Sequence, residues 1–261
     1  MQKSGVKTLV FVLDGALRNI PMAILYDGEQ YILEKYAVAL SLGLQLLTPK
    51  PLSEAPLKVL AAGLVEPPSE FNRRFPALPG IKFEFNLINK AGVSKKQLLN
   101  QEFTSTSLEK NVNTTPFNIL HLATHGVFSS QPENTYILAA DGKINVTQFD
   151  SLLRRRDESR SQDLEMLVLS ACQTAAGDNR ATLGLAGVSV KAGARSTLAS
   201  LWNVKDESTA ILMGEFYRQL ANTKVTKAEA LRRAQVRLLK KYPNYERPQF
   251  WAPYVLVGNW L

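Results

Sequence analysis

With a single cysteine, Cys172, in 261 residues, the chain can form no internal disulfide. It has only two histidines, His121 and His125, and no second thiol, so the ligand sets of structural zinc sites are missing. On a strand the two histidines would project about 13 Å apart, too far to share an ion, and no metal is expected. Long apolar runs are missing too: Thr8 to Leu13 and Met166 to Leu169 fall far short of the roughly 20 residues that cross a bilayer, so no membrane association is expected. No basic start, apolar run and small-residue cleavage site occur in series, which points to a cytoplasmic protein. Gly184 and Gly187 lack the lysine and spacing of a phosphate-cradling loop, and no cofactor is expected.

Acidic residues are outnumbered, 23 against 31 Lys and Arg, which leaves a formal charge of +8. The excess gathers in Arg154, Arg155, Arg156 and Arg160, and in Arg232, Arg233, Arg237, Lys240 and Lys241. No aromatic residues interleave there to stack bases, so these runs read as solvated faces rather than a nucleic-acid interface.

What is present is a series of short apolar runs. Thr8 to Leu13 and Ile20 to Leu25 each end at Asp-Gly, which suggests a hairpin. Leu57 to Leu64 reads as a buried strand, and Asn72 to Pro79 as irregular. Pro79 to Ala91 and Ser94 to Asn100 carry helix-like spacing. Asn118 to Ala123 and Glu165 to Ser170 are continuous apolar runs, as buried parallel strands require. Between them Asp141-Gly142 predicts a tight hairpin, and Arg154 to Asp163 an exposed, cleavage-prone linker. Further on come a helix over Leu183 to Ala192 and a strand over Ser196 to Trp202. Asp206 to Leu220 reads as a helix, and Thr226 with Glu229 forms a capping box for another. Tyr254 to Val257 closes the chain as a strand. Strands alternating with helices make an α/β fold with a mainly parallel sheet.

His125 and Cys172 each follow a buried parallel-type strand, where open α/β sheets carry their reactive groups. A thiol needs a base to become a nucleophile at neutral pH, and imidazole has the suitable pKa. His121 lies inside its apolar run and reads as a satisfied core histidine. His125 precedes a glycine at the strand end and can reach solvent. The segment after Cys172, with Gln173, Thr174, Gly177 and Asp178, has the polar character of a functional loop rather than a packed interior.

Five ordered blocks carry a resemblance: His121-Leu-Ala-Thr-His-Gly126, Leu169-Ser-Ala-Cys-Gln-Thr174, Ala192-Gly-Ala-Arg-Ser196, Ser200-Leu-Trp-Asn-Val204 and Phe250-Trp-Ala-Pro-Tyr254. Together with Asp14 to Pro21 they resemble the CHAT domain, a caspase-like cysteine peptidase family often attached to tetratricopeptide repeats. The resemblance implies a caspase/separase-like three-layer sandwich, a mainly parallel central sheet flanked by helices. It implies one domain over 1–261, a piece of a longer repeat-containing protein in one reading, with a pseudo-caspase-like part at 1–115 and a catalytic part at 116–261. By position His125 becomes the general base and Cys172 the nucleophile, and the N–H groups of Gly126 and Cys172 the oxyanion hole. The stretch Ser200 to Asp206 resembles the strand along which such enzymes lay an extended substrate. That makes Ser170, Asp178, Trp202, Asn203 and Asp206 the candidates for substrate binding. Asp178 or Asp206 in the pocket would select Arg or Lys, and an arginine such as Arg195 would select Asp. No third acid stands out to orient His125. The implied partners are a protein or peptide substrate and a regulatory partner or fused repeat module. The alternative is a catalytically silent scaffold that mediates protein interaction.

Overall fold

Four consecutive apolar strands build the centre of the molecule: β3 (Val59–Gly63), β5 (Ile119–Ala123), β9 (Met166–Leu169) and β11 (Ser196–Ser200). Their side chains are buried on both faces, as in a parallel sheet covered twice. The computed structural model describes residues 5–41, 43, 49–52, 56–129, 131–159, 164–170, 173–174, 193–202, 204–222 and 224–261. With β1 (Thr8–Phe11), β2 (Ala37–Leu40), β4 (Ser94–Leu99) and β12 (Tyr254–Gly258), they form one eight-stranded sheet in the order β1-β2-β12-β11-β9-β5-β3-β4. Only the β11–β12 pairing is antiparallel. Strands from both halves of the chain thus share one sheet.

Alternation along each strand sorts the core. Val59, Ala61, Ile119, Met166, Val168 and Leu198 face α2 (Gly80–Lys90), α5 (Asp206–Leu220) and α6 (Lys227–Lys241). Leu60, Ala62, Leu120, Leu122, Leu167 and Leu169 face α3 (Ser105–Thr114), α4 (Val146–Ser159) and a second sheet. That sheet, of order β10-β6-β7-β8, comprises β6 (Gly126–Phe128), β7 (Tyr136–Ala139), β8 (Gly142–Asn145) and β10 (Gln173–Thr174). Short helices α1 (Ile32–Lys35) and α7 (Pro248–Trp251) complete the fold. Thr226 accepts from Glu229 N at 3.2 Å and caps α6. Gly214 lets α5 press on α2, since a Cβ there would meet Leu87 at 2.6 Å. No helix among the described residues is long and apolar enough to cross a membrane.

Three expectations give way. Ile20 to Leu25 is not a strand: Pro21 removes a ladder donor, Met22–Ile24 forms a 3-10 turn, and β1 pairs instead with β2, in parallel. Ser94 to Asn100 is strand rather than helix up to Leu99. It runs along the sheet edge, where exposed Lys95 and Lys96 guard the open hydrogen-bonding side. Arg154 to Ser159 belongs to α4 rather than to a loop, and 160–163 lie outside the described residues. The hairpin at Asp141-Gly142 forms as expected, with Gly142 at φ +124°, which few side-chain-bearing residues adopt.

Within this sheet the chain goes from β3 outward to β4, then crosses back to β5 and onward to β9 and β11. The order reverses between β3 and β5. At such a switch point the loops leaving the two strands diverge and open a crevice at their carboxyl ends. The loop after β3 spans 64–79, and the segment after β5 is Thr124-His125-Gly126.

Candidate active site

Two bonds to the neighbouring hairpin fix the backbone at the end of β5. Thr124 Oγ1 donates to Leu138 O at 2.7 Å, and Leu138 N donates to His125 O at 2.9 Å. The second bond makes Gly126 and Ile137 a non-hydrogen-bonded pair in the β6–β7 ladder, so the Gly126 N–H points away from β7.

The imidazole of His125 is turned toward the loop after β3. Its Nε2 lies 2.7 Å from Pro76 O, and its ring stacks on Phe75 with centroids 4.9 Å apart. A carbonyl can only accept, so Nε2 carries the proton and Nδ1 keeps its lone pair. The loop that supplies the carbonyl is itself pinned. Val65 N donates to Asn100 Oδ1 at 2.9 Å, Leu78 N to Val65 O at 2.8 Å, and Phe75 N to Phe71 O at 3.0 Å. Against the expectation that it reaches solvent, His125 is only 4% exposed beneath Phe75 and the 64–79 loop, and this burial lowers its pKa below the ordinary imidazole value of 6.5, partly opposed by the Pro76 carbonyl. With only two histidines in the chain, an NMR titration resolves it cleanly. We expect a midpoint below 6.5 in the wild type and a rise toward it in Phe75→Ala, which opens the ring to water. An unchanged midpoint would mean that Phe75 does not desolvate the ring.

Across the sheet, β9 ends beside β5, with Leu122 in register with Leu169 and Ser170 N donating to Leu122 O at 3.0 Å. Ser170 is 1% exposed, and its Oγ has no hydrogen-bond partner among the described residues. Three positions after Ser170 the chain runs as β10 parallel to β6, Gln173 opposite Val127. Cys172, Asp178 and Asn203 lie outside the described residues.

The remaining expected positions are distributed differently. β11 ends at Ser200, and Trp202 packs against the helical core, its Nε1 donating to Gln249 O at 3.3 Å. Asp206 opens α5, and its carboxylate accepts from Gly80 N at the start of α2. It fits so closely that a Cβ on Gly80 would collide with it. Burial and the nearby charge of Glu84 raise the Asp206 pKa, while the Gly80 N–H opposes them. Arg195 is far from the crevice, at the opposite end of β11, where its guanidinium meets Glu165 Oε1 at 2.7 Å; it cannot read a substrate residue at the strand ends. His121 is a core histidine: its Nδ1 is hydrogen-bonded to Tyr217 OH at 3.0 Å, while its Nε2 lies 2.9 Å from Glu84 Oε1 without the geometry of a hydrogen bond. Pro76 and Phe75 are the participants that sequence reasoning missed. The irregular stretch Asn72 to Pro79 was the sole signal, and it carries no information about a backbone carbonyl. Among the described residues no three His, Cys, Asp or Glu side chains converge as a metal site requires.

Comparison with known proteins agrees with this architecture. Gingipain R, described as an Arg-specific cysteine proteinase, superposes with a TM-score of 0.51 at 10% identity, over 78% of this chain and 46% of its own. The complex of RgpB pro- and mature domains from Porphyromonas gingivalis gives 0.48 at 10% identity, over 78% and 47%. The chain therefore spans about half the length of these solved proteins, and the first likeness shows a shared fold. No curated protein matches. The CHAT domain matches over residues 1–259, nearly the whole sequence, and the chain belongs to the CHAT domain family.

Proposed function

We propose that the protein is a cysteine endopeptidase in which Cys172 attacks the peptide carbonyl and His125 moves the proton. The observation that carries this reading is the imidazole at the switch-point crevice, pinned through Nε2–H to the Pro76 carbonyl with Nδ1 left as acceptor. Membership of a caspase-like family supports it, as do the described residues that flank Cys172, Ser170 beside β5 and Gln173 beside β6.

His125 Nδ1 takes the thiol proton, and the thiolate adds to the scissile carbonyl carbon. The oxyanion is met by the N–H groups of Gly126 and Cys172, the former directed away from β7. The C–N bond breaks, the leaving amine takes the proton from Nδ1–H, and a thioester remains on Cys172. Water then attacks the thioester with His125 again as base, releasing the acid and restoring the thiol. A pKa held down by burial keeps His125 neutral at pH 7, the state this role requires. The Pro76 carbonyl does what a third side chain does elsewhere: it fixes the tautomer and the ring orientation.

In this reading Ser170, Asp178, Trp202, Asn203 and Asp206 border the substrate, 116–261 is the catalytic part and 1–115 the supporting part. The enzyme works in the cytoplasm, without cofactor, on protein substrates, under control of a partner or a fused tetratricopeptide-repeat module. Digestion of a mixed peptide library, read by mass spectrometry, tests it. Discrete cleavage products are expected, and alkylating the single thiol should abolish them. A chain that cleaves nothing under any condition would favour the silent scaffold instead.

A further inference from the structure

Beside the crevice, between the second sheet and the loop after β3, lies a groove of about 420 Å³. Its floor is a row across that sheet: Val127 on β6 is in register with Tyr136 on β7, and Tyr136 with Asn145 on β8. Two cations line it, Arg74 from the loop and Lys143 from β8. The Lys143 ammonium is positioned by aromatic rings, 4.4 Å from the centroid of Tyr136 and 5.5 Å from that of Phe71. Arg74 lies over the Phe75 ring at 5.2 Å, and the same ring stacks on His125. Neither cation has a carboxylate within ion-pair distance among the described residues. Glu133 is the one acid on the rim, which leaves the groove with a net positive charge. Tyr136 is 8% exposed, and its hydroxyl has no hydrogen-bond partner among the described residues.

The groove is continuous with the proposed catalytic site on two sides. One aromatic ring separates Arg74 from His125. Along the floor, the row extends from Val127 to Gln173, the residue that follows Cys172. Strands are about 4.8 Å apart, so the row covers about 14 Å, the reach of about four extended peptide residues.

We propose that this groove is a substrate subsite for an acidic side chain, whose carboxylate lies between Arg74 and Lys143, two to four residues from the scissile bond. The inference rests on the peptidase reading and adds a specificity to it. Two cations held by aromatic rings, with no carboxylate paired to them among the described residues, meet a carboxylate at little cost in reorganisation, and their charge-assisted bonds discriminate strongly against the neutral amide.

Matched quenched-fluorescent peptides, with Asp, Asn or Lys at each of four positions on either side of the bond, test the subsite. Wild type should prefer Asp about tenfold or more in kcat/KM at one of these positions. In Arg74→Gln/Lys143→Gln the ratio should fall to about one, and Arg74→Glu/Lys143→Glu should reverse it in favour of Lys, which a merely structural role would not do. A ratio near one at every position in wild type, or one unchanged in the glutamine double variant, overturns the subsite. If wild type cleaves nothing, fluorescence anisotropy with the same peptides decides. An Asp preference that the double variant loses sustains the groove and removes the peptidase reading, and no preference removes the groove. Phosphoserine preferred more than tenfold over Asp would reassign the groove to phosphopeptides and overturn the carboxylate assignment.

Discussion

Cys172→Ala, His125→Ala and the double variant are expected to lose peptide cleavage by the same large factor, about 10⁴- to 10⁶-fold in kcat/KM. In the proposed mechanism thiol and imidazole act as one unit, so removing the second after the first should cost nothing more; multiplying losses would show that they act independently. No neighbour can take over from His125. His121 is fully buried between Glu84 and Tyr217, on the face of β5 turned toward α2 and α5. Thermal melts of the variants separate loss of chemistry from loss of fold, because excising a buried ring also leaves a cavity. The pH dependence adds an independent check. Burial holds the His125 pKa below 6.5, so the base is lost only when pH falls through that lowered value. The acid limb of kcat/KM should therefore have its midpoint below 6.5. The same shift has a sign for stability: between the lowered value and 6.5 the unfolded chain binds more protons than the folded one, so stability rises with pH across that window. An acid limb above 6.5 would mean that His125 gains a stabilising negative charge not seen among its described neighbours.

How much of this was legible beforehand depended on whether the deciding interaction was local. The strands β3, β5 and β9 were readable because burial on both faces demands an uninterrupted apolar run, and few alternatives bury such a run. The place of His125 at the end of β5 was readable because a polar residue followed by glycine ends such a run. β4 was not: Ser94 to Leu99 has two lysines and a glutamine before its leucines, a pattern that suits a helix equally well, and only the partner β3 decides. Asp206 could be placed at a helix start from its sequence. That its carboxylate is taken by Gly80 N, 126 positions away in the chain, could not. The Pro76 carbonyl is the extreme case. Any residue offers one, and only the folded path of the 64–79 loop brings this one to the imidazole.

The far end of the sheet carries the second large effect. Glu165, just before β9, holds two cations at once: Arg195 at 2.7 Å through Oε1 and Lys227 at 3.4 Å through Oε2. Lys227 opens α6 and is fully buried; among the described residues its ammonium also donates to Asn259 O at 3.4 Å. Desolvation pushes the Lys227 pKa down to about 8, and the charge of Glu165 works against that fall. Glu165→Ala removes this opposition and strands an ammonium in the core, for which the expected cost is about 3–5 kcal/mol. That is a large share of the roughly 5–15 kcal/mol that holds a domain together, so the urea midpoint should drop sharply. Because the folded pKa lies below the unfolded value of 10.5, the unfolded chain binds the extra proton between pH 8 and 10.5, and wild-type stability from this group rises with pH across that range. In Glu165→Ala the rise should begin below pH 8. Adding Lys227→Met should recover most of the loss, since the side chain of Arg195 is 19% exposed and can turn to water. A Glu165→Ala unfolding free energy within about 1 kcal/mol of wild type at pH 7 would show that the carboxylate is dispensable and that Lys227 is already neutral in the folded protein.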